Sequence, residues 1–194
     1  EVGSLIITEV MVDGTLGGAG LQWFEVTNVS AQSLTLAGWQ FQVTGSAGDS
    51  SFFVSPDAAL TLEPGSLALF CQDTDAVLAA APAAVCDYEF ATADNGFGDS
   101  RWGADQVLGL ALDATAGAIR VELDAETVEV VAWDLAAGWP LVAGASLELD
   151  PLSAEATAND APEAWCAGSL VYSADGLNLG SPGIANLSCP AAGG

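Results

Sequence analysis

The chain has 194 residues with 26 acidic side chains, two arginines, no lysine and no histidine, which gives a formal net charge of −24. A hydrophobic content of 51% excludes a disordered acidic tail. Without histidine or lysine the chain cannot build a Ser-His or Cys-His nucleophile pair, an imidazole metal site, a Walker lysine or a Schiff base. Two arginines cannot form a phosphate-binding patch, so we expect no nucleic acid as a partner and repulsion from anionic lipid surfaces.

Short segments that alternate apolar with polar residues predict strands along most of the chain. In chain order the candidate strands are 4–10, 21–27, 39–44, 51–54, 67–71, 106–112, 118–123, 128–133 and 146–149. Turn residues such as Asp13 with Gly14 and Pro64 with Gly65 separate them. This spacing favours an all-β fold, an antiparallel β-sandwich that occupies 1–194 as a single domain.

Residues 73–84 are the one plausible helix. Thr74 or Asp75 would cap an alanine-rich turn or two, and Pro82 would disrupt it. The segment lies between Cys71 and Cys86, so a short helix inside a disulfide loop is a coherent local unit. A loose loop is the alternative, because alanine richness suits both.

Four cysteines, Cys71, Cys86, Cys166 and Cys189, allow three disulfide pairings. Their spacing contains no CxxC, which favours disulfides over a zinc site. We expect the two sequence-local pairs, Cys71 with Cys86 and Cys166 with Cys189, each worth ~3 kcal/mol in the chain-entropy model. The second pair would tie back an extended C-terminal segment, residues 159–194.

The cysteines predict an exported protein, located outside the cell or on its surface. No apolar run approaches a membrane span, so we expect no membrane insertion. The sequence opens at Glu1 without a basic and apolar leader, from which we expect that a signal peptide has already been removed.

Seven short motifs, in this order, resemble the lamin tail domain family in its bacterial exported form. They are ITEV (7–10), WFEVTN (23–28), LTLAGWQF (34–41), LEPG (62–65), SLELDP (146–151), AWC (164–166) and GSPGIAN (180–186). The resemblance implies an immunoglobulin-like β-sandwich without catalytic residues, and it makes residues 72–104 an insertion. We therefore expect no enzyme; a pair of carboxylates that hydrolyses glycosides is the alternative.

The densest polar cluster lies in 94–100, inside the insertion. Asp94, Asn95 and Asp99 alternate with glycine and offer oxygen ligands that suit calcium. The loop does not fit the EF-hand pattern, and a solvated acidic turn is the alternative. We expect no required cofactor, with calcium as the candidate ion.

Four tryptophans lie outside the clearest strand pattern or at its ends: Trp102, Trp133, Trp139 and Trp165. Core packing is the preferred interpretation. Exposed stacking on sugar or protein is the alternative. Trp102 and Trp139 are the better candidates for exposure, because each stands beside Gly or Pro.

Two functions from different classes fit these observations. The first is a non-catalytic structural protein that self-assembles into a bacterial cell-surface fibre or layer, with copies of itself or other surface proteins as partners. Leu5, Ile6, Ile7 and Val10 would form the assembly interface by completing the sheet of a neighbouring subunit. The alternative is an accessory binding or adhesion module of an exported protein, for sugar, matrix or protein.

Overall fold

Twelve strands and one helix lie among the residues that the computed structural model describes, which are 2–14, 21–46, 48–90 and 111–190. The strands among these residues are β1 (Leu5–Met11), β2 (Trp23–Asn28), β3 (Leu34–Thr35), β4 (Gln40–Gly45), β5 (Gly48–Phe53), β6 (Thr61–Leu62), β7 (Leu67–Cys71), β8 (Tyr88–Glu89), β9 (Ala116–Leu123), β10 (Glu126–Asp134), β11 (Leu147–Leu149) and β12 (Trp165–Ala167). The helix is α1 (Thr74–Ala80). Single 3₁₀ turns cover Pro56–Ala58, Leu135–Ala137, Pro151–Ser153 and Pro162–Ala164.

The strands build two main sheets, which confirms the predicted all-β sandwich. The larger has six strands in the order β12-β11-β1-β2-β7-β8, and the smaller has four in the order β10-β9-β4-β5. A two-stranded sheet pairs β3 with β6. The strand pairs are antiparallel except β7 with β8, which is parallel. This arrangement is compatible with an immunoglobulin-like sandwich.

The main core lies between the two large sheets and is rich in stacked phenylalanines. Phe24 and Phe70 come from the six-stranded sheet, and their ring centroids are 4.9 Å apart. Phe41 and Phe52 come from the four-stranded sheet, with centroids 5.2 Å apart. The two pairs meet where Phe41 approaches Phe70 at 4.8 Å. Such pairs add ~1 kcal/mol each beyond the burial of their area.

The position of β1 corrects the predicted assembly interface. Leu5, Ile6, Ile7 and Val10 are fully buried in the main core of their own chain. Strand β1 pairs with β2 along one edge and with β11 along the other, so it is an internal strand. Because an internal strand supplies the core, removing it would unfold the domain rather than only prevent assembly.

The short helix and both local disulfides are confirmed. Cys71 is bonded to Cys86, and Cys166 to Cys189. Helix α1 lies within the first disulfide loop, but its cap differs from the prediction. Asp73 is the N-cap and accepts a hydrogen bond from the backbone N–H of Ala76 at 2.9 Å.

Two further expectations have different outcomes. Trp133, Trp139 and Trp165 are buried, which confirms core packing for these three; Trp139, the better candidate for exposure under the alternative, is 5% exposed and its ring centroid lies 5.7 Å from that of Trp165. Trp102 lies outside the described residues. Of the candidate strand 106–112, only Ala111 and Leu112 are described, and they form no strand. No helix in the described part of the chain is long and apolar enough to cross a membrane.

Candidate functional site

Three glutamates form a row across the face of the six-stranded sheet that points away from the main core, here called the outer face. Glu9 of β1 lies opposite Glu148 of β11 on one side and opposite Glu25 of β2 on the other. All three side chains are almost completely buried. Three carboxyl groups on adjacent strands of one sheet therefore share a single site, here called the acid row.

A β-bulge in β1 adds a hydroxyl group to this face. Ile7 pairs with Val26 and Glu9 with Glu25, so Thr8 is the extra residue of the bulged strand. Its Oγ1 donates to Oε1 of Glu25 at 3.2 Å and lies 3.1 Å from Oγ1 of Thr27. The bulge thus brings Thr8 to the side of the sheet that carries Glu25.

The acid row is covered by residues 168–190, here called the covering segment, which follow the last strand. Ser181 donates its backbone N–H to Oε1 of Glu9 at 2.8 Å and its hydroxyl to Oε2 at 2.9 Å. Gly183 donates its N–H to Oε2 of Glu25 at 3.0 Å. The carboxyl oxygens of two strands are therefore bonded to one irregular segment.

Two more contacts fix the covering segment. Asn186 donates from Nδ2 to the carbonyl oxygens of Thr8 at 2.7 Å and Leu149 at 3.0 Å. Cys189 forms a disulfide with Cys166 of β12. Cys166 in turn pairs with Glu148 of the neighbouring strand β11. The disulfide therefore anchors the segment beside the acid row.

Close approach requires glycine at position 180. A Cβ there would lie 2.7 Å from Oγ of Ser146 and 2.8 Å from Oε1 of Glu9. Ser146 itself donates its hydroxyl to the same Glu9 oxygen at 2.6 Å. Side chains and backbone are packed here without room for a methyl group.

Burial controls the ionisation of the acid row. Loss of water raises the pKa of Glu9 to about 8, although Ser146 and Ser181 oppose the shift. Burial, followed by the negative charge of Glu9, raises the pKa of Glu25 to about 8. Burial also raises the pKa of Glu148. At neutral pH the row therefore holds protons on carboxyl groups that water would leave ionised.

The described residues offer the acid row no cation. Their one basic side chain is Arg120 on β9, in the four-stranded sheet, where it donates to Oγ1 of Thr127 at 3.1 Å. The acidic groups around Glu25 include Glu9 and also Asp87, which precedes β8. A carboxyl group of the row that loses its proton therefore has no internal counter-charge among the described residues.

A pocket of about 160 Å³ lies on the outer face beside Glu25. Its polar lining residues are Thr8, Glu25, Thr27 and Asn186, and its remaining lining residues are Gly65, Leu67, Leu149, Pro151, Ala154 and Ala185. The pocket thus combines an apolar wall with a group of oxygen acceptors. It spans strands β11, β1, β2 and β7 and borders the covering segment.

The outer face also holds a second apolar cluster. Met11, Trp23 and Leu69 pack there beneath Val77 of α1. Trp23 donates from its indole N–H to the hydroxyl of Tyr172, in the covering segment, at 3.2 Å. Helix α1 and the covering segment together form a third layer over the six-stranded sheet.

The predicted calcium residues Asp94, Asn95 and Asp99 lie outside the described residues. Within the ranges that the structure describes, no group of three or more His, Cys, Asp or Glu side chains is arranged so that it could hold a metal ion. The sequence analysis did not single out Glu9, Glu25 or Glu148 as site residues. The available signal was that these acids, together with Ser181 and Asn186, belong to four of the motifs that carry the family resemblance.

Comparisons with known proteins leave the family open. No family model matches the chain, and no curated protein matches it. Among solved structures, the chain is similar to a DUF4876 family protein from Bacteroides thetaiotaomicron, with 18% sequence identity and a TM-score of 0.44. The match covers 65% of this chain and 44% of that chain. The resemblance to the lamin tail domain family therefore stays a prediction.

Proposed function

We propose that the protein is a non-catalytic binding module of an exported protein and that it contacts its partner through the pocket beside Glu25. The observation that carries this proposal is the composition of the pocket, which places Glu25, Thr8 and Thr27 at the side of an apolar wall. Binding sites commonly combine an apolar lining with a few fixed polar groups.

The acid row supports a binding role rather than a hydrolytic one. Ser181 Oγ lies 2.9 Å from Oε2 of Glu9 and 3.2 Å from Oε1 of Glu148, so the two carboxyl groups meet at one hydroxyl. A glycosidase needs its two carboxyl groups on opposite sides of a bound sugar. Glu9 and Glu148 are instead buried beneath the covering segment.

The two disulfides support a location outside the cell, since such bonds persist in oxidising compartments. Self-assembly into a fibre or layer stays a prediction, but it no longer has the proposed interface. The four residues assigned to that interface lie in the core of their own chain. A module that presents a preformed pocket requires no strand exchange.

The test is a probe screen by NMR on the whole chain. Small sugars, amines and aromatic alcohols should shift the signals of Thr8, Thr27 and Leu67 for at least one class of probe. Ala185→Trp should abolish those shifts, because Ala185 is exposed and lines the pocket. Ala136→Trp is the matched control. Ala136 is exposed in the 3₁₀ turn Leu135–Ala137 and does not line the pocket, so this variant should leave the probe-induced shifts unchanged.

Two results would overturn the proposal. One is the absence of any shift at the pocket across all classes of probe. The other is the appearance of filaments or large oligomers by light scattering and electron microscopy, which would favour the structural subunit. A monomer at every salt and calcium concentration is the expected result.

A further inference from the structure

We propose that the pocket beside Glu25 accepts a primary ammonium group on an aliphatic stem, in the form of a lysine side chain of a partner protein. This inference rests on the proposed binding function and specifies its ligand. It follows from the size of the pocket, from the distribution of its polar groups and from the charge of the chain.

The volume of the pocket limits the ligand to one side chain. At about 160 Å³ it is close to the ~150 Å³ of a cavity that holds benzene. Pockets for drug-sized molecules begin at ~300 Å³. The pocket itself therefore has room for one inserted side chain of a partner.

The lining matches the two parts of a lysine side chain. Leu67 and Pro151 provide apolar surface along which a methylene stem can pack. The hydroxyl of Thr8 lies between two other oxygen groups, 3.2 Å from Oε1 of Glu25 and 3.1 Å from the hydroxyl of Thr27. An ammonium group donates three hydrogen bonds and accepts none, so a cluster of oxygen acceptors suits it.

Charge selects a cation over a neutral group of the same length. Glu25 faces Glu9 of β1 and Asp87, and the remaining contacts to its carboxyl oxygens are the Thr8 hydroxyl and the N–H of Gly183. None of these groups is a cation. The net charge of −24 also draws a basic partner toward this surface.

Ligand binding should be linked to ionisation of Glu25. Burial raises the pKa of this carboxyl group to about 8, so the empty pocket holds a proton at neutral pH. An ammonium group favours the carboxylate form. Binding should therefore release a proton and become tighter as the pH rises from about 6 to about 8.

The experiment is an NMR and calorimetric titration of the whole chain with Nα-acetyl-lysine methylamide, whose side-chain ammonium group is free. N-acetyl-norleucine methylamide is the matched probe, because it keeps the stem and lacks the ammonium group. We expect the lysine probe to bind about tenfold more tightly or better, as charge-assisted hydrogen bonds imply. The shifts should map to Thr8, Thr27 and Leu67, and calorimetry in buffers of different ionisation enthalpy should show proton release.

Glu25→Gln should remove this preference for lysine, and Thr27→Val should weaken binding several-fold while it preserves the shape of the pocket. Glu126→Gln is the control: this glutamate is exposed on β10 of the four-stranded sheet and does not line the pocket, so its replacement should leave binding unchanged. If Glu25→Gln is unstable, Ala185→Trp tests the same site by blocking it.

The outcomes separate this inference from the broader proposal. Equal binding of both probes, or binding of a sugar at the same residues, would overturn the ammonium assignment and retain the binding module. Cadaverine that binds as tightly as the lysine probe would overturn the assignment to a partner protein in favour of a free amine. If no probe perturbs the pocket, both proposals fail.

Discussion

Oε1 of Glu129 on β10 accepts a hydrogen bond from Nδ2 of Asn159, while the second oxygen of each side chain, Oε2 and Oδ1, is buried and has no hydrogen-bond partner among the described residues. Two buried acceptors without partners are unfavourable, and a neutral acid would relieve this, since a protonated Oε2 is a hydrogen-bond donor. Burial raises the pKa of Glu129 to about 8, which keeps that proton at neutral pH. We predict that this proton is donated to Oδ1 of Asn159, which would make the two side chains a reciprocal acid–amide pair.

Glu129→Gln should therefore preserve the free energy of unfolding at pH 6, because the amide N–H₂ of glutamine replaces the acid O–H as donor. At pH 9 the variant should be more stable than the parent, since glutamine does not ionise. Urea denaturation at the two pH values measures both effects.

Asn159→Asp is the contrasting variant, which places two acids together and should cost about 1–3 kcal/mol. A loss of stability in Glu129→Gln at pH 6 as large as that of Asn159→Asp would contradict the acid–amide pair.

The protein should lose stability as the pH rises from about 4.5 to about 8. Burial raises the pKa of Glu9, Glu25 and Glu129 from 4.5 to about 8, so in this window the folded chain keeps protons that the unfolded chain releases. The stabilisation that these three groups contribute is fully present below their unfolded pKa. It decreases as the pH rises and is lost once the pH has passed the folded pKa. Each group contributes up to about 1.4 kcal/mol per pH unit.

Asp113 has the opposite dependence in acid. Hydrogen bonds from Ser46 and Thr115 lower the pKa of its carboxyl group well below 3.8. The stabilisation that the Asp113 carboxylate contributes is present above its unfolded pKa. It is lost as the pH falls from there through the lower pKa of the folded state. Stability should therefore peak in mildly acidic solution, as urea titrations between pH 2 and pH 9 would measure. A free energy of unfolding that rises steadily from pH 5 to pH 8 would contradict this profile.

Removal of the Cys166–Cys189 disulfide should loosen the covering segment. The double variant Cys166→Ser with Cys189→Ser should lose about 3 kcal/mol, because the bond closes a loop of 23 residues. Hydrogen exchange should accelerate at the N–H groups of Ser181 and Gly183, which bond to the acid row.

The matched control for this experiment is Cys71→Ser with Cys86→Ser, which opens a loop of similar length, 15 residues, around α1. This double variant should destabilise the protein by a comparable amount. The N–H groups of Ser181 and Gly183 should then exchange no faster, relative to the amides that exchange only by global unfolding, than they do in the parent. Equal acceleration in both double variants would show that the disulfide does not anchor the covering segment.

Two glycine substitutions compare a positive φ combined with close packing, at Gly180 (φ +158°), with a positive φ alone, at Gly183. Gly180→Ala should cost about 2 kcal/mol or more, because its Cβ would lie 2.7 Å from the Ser146 hydroxyl and 2.8 Å from Glu9. Gly183→Ala should cost only about 1 kcal/mol, since φ is +80° but nothing lies within 4 Å of the new Cβ. Thermal and urea unfolding would rank them, and a reversed order would contradict the close packing at Gly180.

The local features of the fold could be predicted from the sequence because they depend on residues that are close together along the chain. The alternation in 23–28 sets Phe24 and Val26 on one face, and the spacing of the cysteines favours local pairs. Whether a strand is internal or at an edge depends on distant partners. The sequence therefore favoured pairing of β1 with a neighbouring subunit, whereas the strand is internal to its own sheet.

The acid row could not be predicted from alternation alone. Glu9, Glu25 and Glu148 occupy positions that a two-layer sandwich would expose to water. They are buried because the covering segment, which has no regular period, folds over the outer face. Trp139 was a better candidate for exposure for a related reason: its neighbours Gly138 and Pro140 indicate a turn, yet the ring packs against Trp165.

Ser181 follows Glu9 by 172 residues in the chain. During synthesis the carboxyl groups of β1 and β2 thus exist long before the segment that covers them, and in neutral solution water keeps them ionised. Docking of the covering segment therefore consumes hydrogen ions, so this stage of folding is also an acid–base reaction. The acidity of the compartment in which the chain matures should set how readily that stage is completed.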